Sequence, residues 1–492
     1  MNYIDAIKKE QILLTTTENG DTSFRSTGSF CLDYYSLVGG MRYNYRDLNS
    51  LFLRSFYENQ LITAKIMLYL RDILNGLGER NSFRMAFNML SNLNHKLARQ
   101  LLPLIPKYGR WDDILAGLNT KIHEDVIKLI EKQLDQDLAN LDKDENVSLL
   151  SKWLPSINTS NANTRRQAKI IAEGLGYTNE EYRKTLSKLR KGRILENNLR
   201  EKDYTFDYST VPSQAFMKYI KAFAKNDSER LRRFFINVKR GRNRINTRTA
   251  VTHQVLFSPS IKHDMSPIQE TIDEFQQIFW DNLERVEFTT KTIIVRDGSS
   301  SMYWGSGGVE PIKIATSLAI FAAEQLPEPF KNNFITFSEN PRLITIPDGT
   351  IQEKVKYVME FDEIANTNIS RVYDLLLRVA KSNQVKPEDM VEQVVIISDM
   401  EFDGCVEGES TFHTYQKKFE ELGLKMPQLV FWNVEARHTH FPVTQNELGV
   451  KLVSGSSQKI LGHVISGNLD QTPYEYMLEA LERYNEVDDF EI

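Results

Sequence analysis

Oxygen-bearing side chains occur where three predicted elements of the chain meet their loops. Asp297, Ser299 and Ser301 follow the apolar run IIVR, Asp399 follows VVIIS, and Thr367 lies just before a predicted helix. In open α/β sheets, ligands bind beyond the carboxyl ends of the strands, so we expect these five side chains to meet there. Carboxylates and hydroxyls form a hard oxygen set, which suits Mg²⁺, or Mn²⁺ or Ca²⁺, rather than zinc.

The same residues also have a purely structural interpretation. Asp and Ser residues that follow a strand often cap helices or form turns. In favour of a metal site, the spacing Asp-x-Ser-x-Ser with Gly298 in the turn allows one tight loop to aim three side chains inward. The segment Asp399-Met400-Glu401-Phe402-Asp403 adds two acids, which form either a negative rim to that site or a solvated loop.

The sequence lacks the residue patterns of common catalytic sites. An aspartyl-phosphate hydrolase needs a second acid two residues after its nucleophilic aspartate, and Ser299 occupies that position. The glycines at 76 and 78 lack the Gly-Lys-Ser/Thr of a phosphate-binding loop. The eight histidines are scattered, with no His-x-x-x-His pair and no serine elbow nearby. We therefore expect a protein that is not an enzyme.

The longest basic stretch runs from Lys218 to Arg248. From Lys221 onward it holds ten Lys and Arg residues against two acids, with phenylalanines interleaved. Arginine binds phosphates and stacks on bases, so single-stranded nucleic acid is a candidate ligand. Alternatively, the phenylalanines belong to the core and the arginines to a solvated face. The candidate RNA-binding residues are Arg232, Arg233, Lys239, Arg240, Arg242, Arg244 and Arg248, and a second basic cluster spans residues 183–193.

The elements that would position these residues fall into two groups. Residues 46–290 have the pattern of amphipathic helices, as in Ile62, Ile66 and Leu70, which lie on one helix face. Proline and glycine separate many short helices in series, which predicts a helical domain of HEAT-like shape. Residues 1–45 are rich in Thr, Ser, Gly and Asn, and we expect them to be irregular.

Residues 291–492 have a different pattern, in which strands and helices alternate. KTIIVRD, NNFITF, EQVVIIS and QLVFWNV are short runs with β-branched or aromatic centres, and helical stretches lie between them. This alternation predicts a doubly wound, Rossmann-like, mainly parallel sheet. The fold class is therefore an all-helical region joined to an α/β domain.

Composition and charge support two domains with different partners. Of the 492 residues, 291–492 hold 18 Lys+Arg and 31 Asp+Glu, whereas 1–290 hold 43 and 35. A basic half suits a polyanion, and an acidic half repels one unless a cation intervenes. There is no apolar run of 18 residues and no secretory signal, and two cysteines provide no disulfide framework. We expect a cytoplasmic protein without a membrane span.

Asp297-x-Ser299-x-Ser301, Thr367 and Asp399, in this order, resemble the metal-ion-dependent adhesion site (MIDAS) of von Willebrand factor type A domains. The resemblance implies that the two serines and the threonine approach the metal directly and that the two aspartates act largely through water. It also implies an open coordination position for an acidic group of a partner.

Further segments resemble an uncharacterised family that joins a helical N-terminal region to a type A domain: IPKYGRWDDIL, KWLPS, EEYRKTLSKLR, VPSQAF, RDGSSSM and SDMEFD. The architecture is similar to that of the Ro RNA-binding (TROVE) proteins, in which a ring of helical repeats binds RNA. The arginine before Asp297 departs from many type A domains, which have an apolar residue there.

Together these features predict a Ro-like, RNA-binding ribonucleoprotein scaffold with a divalent-metal site, whose ligand is single-stranded or structured RNA. The alternative is a protein-interaction module in which the metal captures an Asp or Glu of a partner protein. The first expectation depends on the basic half of the chain and the second on the open metal position.

Overall fold

A computed structural model describes residues 14–492, apart from residues 21, 43, 193, 258–266, 306–307, 363–368, 403–410 and 466–469. The chain forms a helical half followed by an α/β half, so the expected mixture of helices with a mostly parallel sheet is confirmed. Among the described helices, none combines the length and apolar character that crossing a bilayer requires.

The helical half consists of many short amphipathic helices. In the helix Gln60–Arg71, the side chains of Ile66 and Leu70 are fully buried, as their spacing predicts. A pair of short strands precedes the helices: β1 (Leu14–Thr16) and β2 (Thr22–Phe24). The helices are α1 (Phe30–Leu37), α2 (Tyr45–Glu58), α3 (Gln60–Arg71), α4 (Asn81–Leu93), α5 (His95–Leu101), α6 (Ile105–Tyr108), α7 (His123–Asp142), α8 (Leu150–Trp153), α9 (Ala162–Gly174), α10 (Asn179–Arg190), α11 (Leu195–Arg200), α12 (Ser213–Asn226), α13 (Ser228–Lys239), α14 (Thr252–Phe257) and α15 (Pro267–Asp281).

The α/β half is built on a six-stranded sheet with the strand order β5-β4-β3-β6-β7-β8. All neighbouring strands are parallel except the edge strand β5, which runs antiparallel to β4. The strands are β3 (Thr292–Asp297), β4 (Asn333–Phe337), β5 (Leu343–Thr345), β6 (Gln393–Ser398), β7 (Gln428–Asn433) and β8 (Val450–Ser454). The helices are α16 (Pro311–Ala323), α17 (Ile351–Met359), α18 (Ile369–Asn383), α19 (Thr411–Glu421), α20 (Leu461–Ile465) and α21 (Pro473–Leu481).

The two faces of the sheet belong to different hydrophobic cores. Because side chains alternate along a strand, Ile294 and Ile293 point to opposite faces. Ile294 packs in a core that includes α16 and continues into the helical half. Ile293 packs in a separate core with residues of α18 and α19. The sheet is therefore joined to the helical half by one continuous apolar interior.

Residues 14–41 attach the start of the chain to the α/β half. Instead of the expected irregular segment, they contain β1, β2 and α1, and Phe24 forms an antiparallel bridge with Phe441. The backbone N–H of Ala436 donates to the carbonyl oxygen of Gly40 at 3.1 Å. At Gly39 a Cβ atom would lie 2.8 Å from backbone atoms of Ser454, so this contact requires glycine.

A segment of the α/β half likewise attaches to the helical half. The 3₁₀ segment Glu482–Val487 packs against α3, and the fully buried Tyr484 contacts the rings of Tyr69 and Tyr108. The Tyr484 hydroxyl donates to Asp72 at 3.1 Å, and Lys107 pairs with Glu486 at 2.9 Å. Residues 14–41 and residues 482–487 therefore hold the helical half against the α/β half.

Replacing Tyr484 with alanine is expected to weaken this closure. The loss of a fully buried aromatic side chain costs about 3–5 kcal/mol of stability. Thermal unfolding of Tyr484→Ala should begin at lower temperature, and limited proteolysis should cut near residue 484 first. The control is Tyr45→Ala, because that side chain is 46% exposed. Equal melting temperatures for the two variants would contradict a role of Tyr484 in closure.

Candidate functional site

Asp297 lies at the carboxyl end of β3, beside the end of the neighbouring parallel strand β6. Its Oδ1 accepts the Ser299 backbone N–H at 2.9 Å, and its Oδ2 accepts the Ser398 hydroxyl at 2.6 Å. The hydroxyls of Ser299 and Ser301 are 3.0 Å apart. The turn after β3 thus gathers one carboxylate and two hydroxyls.

Asp399 follows β6 and brings a second carboxylate to the same edge. Its side chain is 2% exposed, and its Oδ2 accepts a hydrogen bond from the Arg437 guanidinium at 2.5 Å. Its Oδ1 accepts the Glu401 backbone N–H at 3.3 Å. Arg437 comes from the loop after β7, so three neighbouring strands supply this edge.

The structure therefore brings together four of the five predicted metal-site residues: Asp297, Ser299, Ser301 and Asp399. The fifth, Thr367, lies outside the described residues, as does Asp403 of the predicted acidic rim. We refer to the four residues as the oxygen-donor edge. Its donors are all oxygens, and both carboxylates are buried, so the residues present fit a hard divalent cation.

The electrostatics of the oxygen-donor edge are unfavourable in the absence of a cation. Burial and the nearby charge of Asp399 raise the pKa of Asp297 to about 7. Burial also raises the pKa of Asp399, while Arg437 and the Ser301 hydroxyl act in the opposite direction. A bound divalent cation would favour the charged form of both carboxylates.

Arg296, the unusual residue before Asp297, supports the turn after β3 through buried polar contacts. Its guanidinium is 1% exposed and pairs with Asp362, which also accepts the Tyr303 hydroxyl. It donates further to the Thr316 hydroxyl at 3.2 Å and to the Val358 carbonyl oxygen at 3.1 Å. Arg296 thus fixes the loop after α17 against the turn after β3.

A cavity of about 1150 Å³ lies between the two halves. The residues that line it include Ile73, Leu77, Trp153, Pro155, Ile194 and Asn197 of the helical half, and Ser456, Ser457 and Lys459 of the α/β half. Positively charged side chains predominate, since eight cations face two carboxylates, Glu79 and Glu196, among the described lining residues. The eight are Arg42, Arg71, Arg80, Arg110, Lys152, Arg190, Lys218 and Lys459.

Some of these cations are already neutralised within the protein. Arg71 pairs with the buried Asp113, and Arg42 pairs with Glu79, each at 2.7 Å. Arg110 pairs with Asp112, and its guanidinium lies 3.7 Å from the centre of the Trp153 ring. These pairs hold the wall in shape.

Lys152 pairs with Glu196 at 3.7 Å, whereas the remaining cavity cations have no such pair among the described residues. Within the described part of the chain, Arg80 and Arg190 form no ion pair; Arg190 donates to a serine hydroxyl and to the backbone carbonyls of Ser151 and Leu154. Burial lowers the pKa of both arginines, and the nearby Arg110 lowers that of Arg80 further. An anion in the cavity would relieve this accumulation of positive charge.

The seven arginines and lysines predicted to bind RNA lie elsewhere. Arg232, Arg233, Lys239, Arg240, Arg242, Arg244 and Arg248 are all exposed on α13 and the turn after it, and none lines the cavity. Phe223, Phe234 and Phe235 are buried, as the alternative interpretation held. Lys239 pairs with Glu274 at 2.6 Å. RNA binding by these seven residues stays a prediction.

Sequence reasoning missed most of the cavity residues because each is one charge on a different element. Arg190, from the second basic cluster, and Lys218, the first residue of the longest basic stretch, are the exceptions. Arg110 and Lys152 belong to KYGRWDD and KWLPS, which by themselves look like turns. The signal that could have found them is the recurrence of a cation beside a tryptophan in both motifs.

Comparisons with known proteins reveal relatives of unknown function. Residues 291–488 match a domain of unknown function, DUF7788, and residues 17–98 and 161–284 match another, DUF2828. The uncharacterized protein L728 of Acanthamoeba polyphaga mimivirus is 27% identical, covering 96% of this chain and 88% of its own. The expected resemblance to uncharacterised proteins is therefore confirmed.

Among solved structures, the crystal structure of the Deinococcus radiodurans RO (RSR) protein is similar to this chain at a TM-score of 0.47 and 13% identity. The similarity covers 93% of this chain and all of that one.

The raised pKa of Asp297 predicts how the metal-free protein responds to pH. The pKa is about 7 in the folded state and near 3.8 when unfolded, so the contribution of Asp297 to stability is complete below about pH 4 and is lost as the pH rises through 7. With a chelator present to keep the protein metal-free, the melting temperature should fall from pH 5 to pH 8. Asp297→Asn should reduce this fall. The exposed Asp348→Asn is the control. An unchanged pH profile in Asp297→Asn would contradict the assignment.

Proposed function

We propose that this chain is a non-catalytic RNA-binding scaffold whose basic cavity holds a single-stranded segment of RNA. The observation that carries the proposal is the cavity, with its eight cations drawn from both halves of the chain. In this proposal the helical half is a HEAT-like array, the α/β half is a type A domain, and the molecule acts in the reducing cytoplasm.

The shape and chemistry of the cavity support a strand rather than a small metabolite. Its volume of about 1150 Å³ exceeds the roughly 300–1,000 Å³ of small-molecule pockets. Arg80, Arg190 and Lys218 offer positive charge to phosphates, and the Arg110–Trp153 pair offers a flat surface for a base. Several cations in one cavity suit a polymer of phosphates.

We further propose that Mg²⁺, or Mn²⁺ or Ca²⁺, binds at the oxygen-donor edge, with Thr367 completing the ligands. The hard donor set and the two buried carboxylates support this. The ion would supply positive charge at an edge of the acidic half. The chain's own contribution is the turn after β3, which Arg296 holds in place.

A second candidate function is the capture of an acidic residue of a partner protein at this ion. The observation in its favour is Trp304, which is 75% exposed only three residues after Ser301. A large exposed aromatic side chain beside an ion with an open position is typical of an anchor at a protein interface. This candidate does not require the cavity.

One prediction of the proposed function concerns the cavity. Arg80→Gln combined with Lys218→Gln should weaken binding of a single-stranded RNA oligonucleotide, because two phosphate contacts are lost. The slope of log affinity against log salt should become shallower by about 1.4. Fluorescence anisotropy at several salt concentrations measures both.

Two matched double variants accompany this experiment. Lys128→Gln with Lys132→Gln makes the same charge change on the exposed face of α7 and should leave binding nearly unchanged. Arg232→Gln with Arg233→Gln tests the exposed basic face of α13. If only the α13 variant loses affinity, RNA lies outside the cavity and this proposal is wrong.

Another prediction concerns the divalent ion proposed at the oxygen-donor edge. Because Arg437 occupies Oδ2 of Asp399, its guanidinium competes with a metal for that carboxylate. Arg437→Gln should therefore bind Mg²⁺ several-fold more tightly than the unaltered protein, whereas Asp297→Ala should lose the stabilisation by Mg²⁺. Melting temperatures measured during an Mg²⁺ titration give both results. The distant Arg483→Gln is the control, and weaker Mg²⁺ binding by Arg437→Gln would refute competition.

A further inference from the structure

A second group of potential metal ligands lies next to the oxygen-donor edge but shares no residue with it. The carboxylates of Glu18 and Glu401 and the imidazole of His438 each place one ligand atom within 4.8 Å of the others. His438 Nε2 lies 3.6 Å from Glu18 Oε2. The three residues come from the turn between β1 and β2, the loop after β6 and the loop after β7.

Glu401 is held in place for such a role. Its side chain is 2% exposed. Its Oε1 lies 3.0 Å from His440 Nε2, and its Oε2 accepts the backbone N–H of Glu18 at 2.9 Å. Metal-binding carboxylates are commonly oriented by such hydrogen bonds from a surrounding shell. Glu401 is therefore a fixed ligand at the buried end of the group.

The other two ligands are open to solvent. The side chains of Glu18 and His438 are 56% and 55% exposed, so an ion can enter without any rearrangement of the core. His438 and His440 form a His-x-His pair in which the first imidazole faces solvent and the second faces Glu401. The pair thus provides one ligand and one supporting residue.

We propose that Glu18, Glu401 and His438 bind one transition-metal ion of the zinc type, with water in the remaining position. An imidazole combined with two carboxylates suits Zn²⁺ better than Mg²⁺. Metal–ligand bonds of about 2.1 Å in a tetrahedron place neighbouring ligand atoms roughly 3.4 Å apart, close to the separation of His438 and Glu18. This site is independent of the proposed RNA binding.

The ion would fasten the start of the chain to the sheet. Asn19 already donates to the Glu401 carbonyl oxygen at 2.8 Å, and Thr17 donates to that of Phe402 at 2.5 Å. A metal shared by Glu18 and the two sheet loops adds a stronger link at the same place. Zinc would therefore protect residues 14–24 from local opening.

The test measures Zn²⁺ binding to the full-length, chelator-treated protein by competition with a chromophoric chelator, with Mg²⁺ in excess to occupy the oxygen-donor edge. The unaltered protein should bind one Zn²⁺. His438→Ala and Glu18→Gln should each weaken binding at least tenfold while circular dichroism stays unchanged. His95→Ala, which removes an exposed histidine elsewhere, should bind as the unaltered protein does.

Two further measurements separate this site from others. Asp297→Ala should retain Zn²⁺ binding, because Asp297 is not a ligand of this group. Zn²⁺ should slow proteolysis within residues 14–24 in the unaltered protein but not in His438→Ala. Zn²⁺ affinity that survives the combined Glu18 and His438 substitutions, or that is lost only in Asp297→Ala, would overturn the proposal.

Discussion

The closure of the helical half against the α/β half is the constraint on which the rest of the structure depends. Residues 14–41 reach forward to the loops after β7 and β8, and Tyr484 reaches back to α3 and α6. The apolar interior is continuous across the junction. Without this closure the cavity would lose one of its sides, because its walls come from both halves.

Closure has an electrostatic consequence, since it gathers more cations around the cavity than acids that could pair with them. Arg71 and Arg42 find carboxylates, but Arg80 and Arg190 do not among the described residues. At the oxygen-donor edge the situation is reversed, because Asp297 and Asp399 are buried with Arg437 as a partial counter-charge. One region thus favours an anion and the other a cation.

Sequence reasoning predicted the sheet and the meeting of the four residues of the oxygen-donor edge, because both depend on local pattern, whereas ion binding there stays a prediction. Strands buried on both faces appear as apolar runs, and the acids that end IIVR and VVIIS mark their carboxyl ends. Residues 14–41 were misjudged as irregular because α1 is only eight residues long and follows two three-residue strands. Short elements leave too few residues for a periodicity to show.

The cavity and the Glu18 group could not be predicted in the same way. Their members lie on elements far apart in the chain, and most of them alone look like ordinary surface charges or turn residues. By contrast, the contiguous basic stretch on α13 is prominent in the sequence; its arginines are exposed and do not line the cavity, and its phenylalanines are core. Proximity in sequence is a weak guide to a site that depends on closure.

The contacts of Tyr484 also have a consequence for the stiffness of the cavity wall. Tyr484 packs on Tyr69 and Tyr108, and Arg71 and Arg110 of the wall follow these two residues closely in the chain. Loosening of the contact at Tyr484 would therefore disturb the cavity wall as well as the junction between the halves.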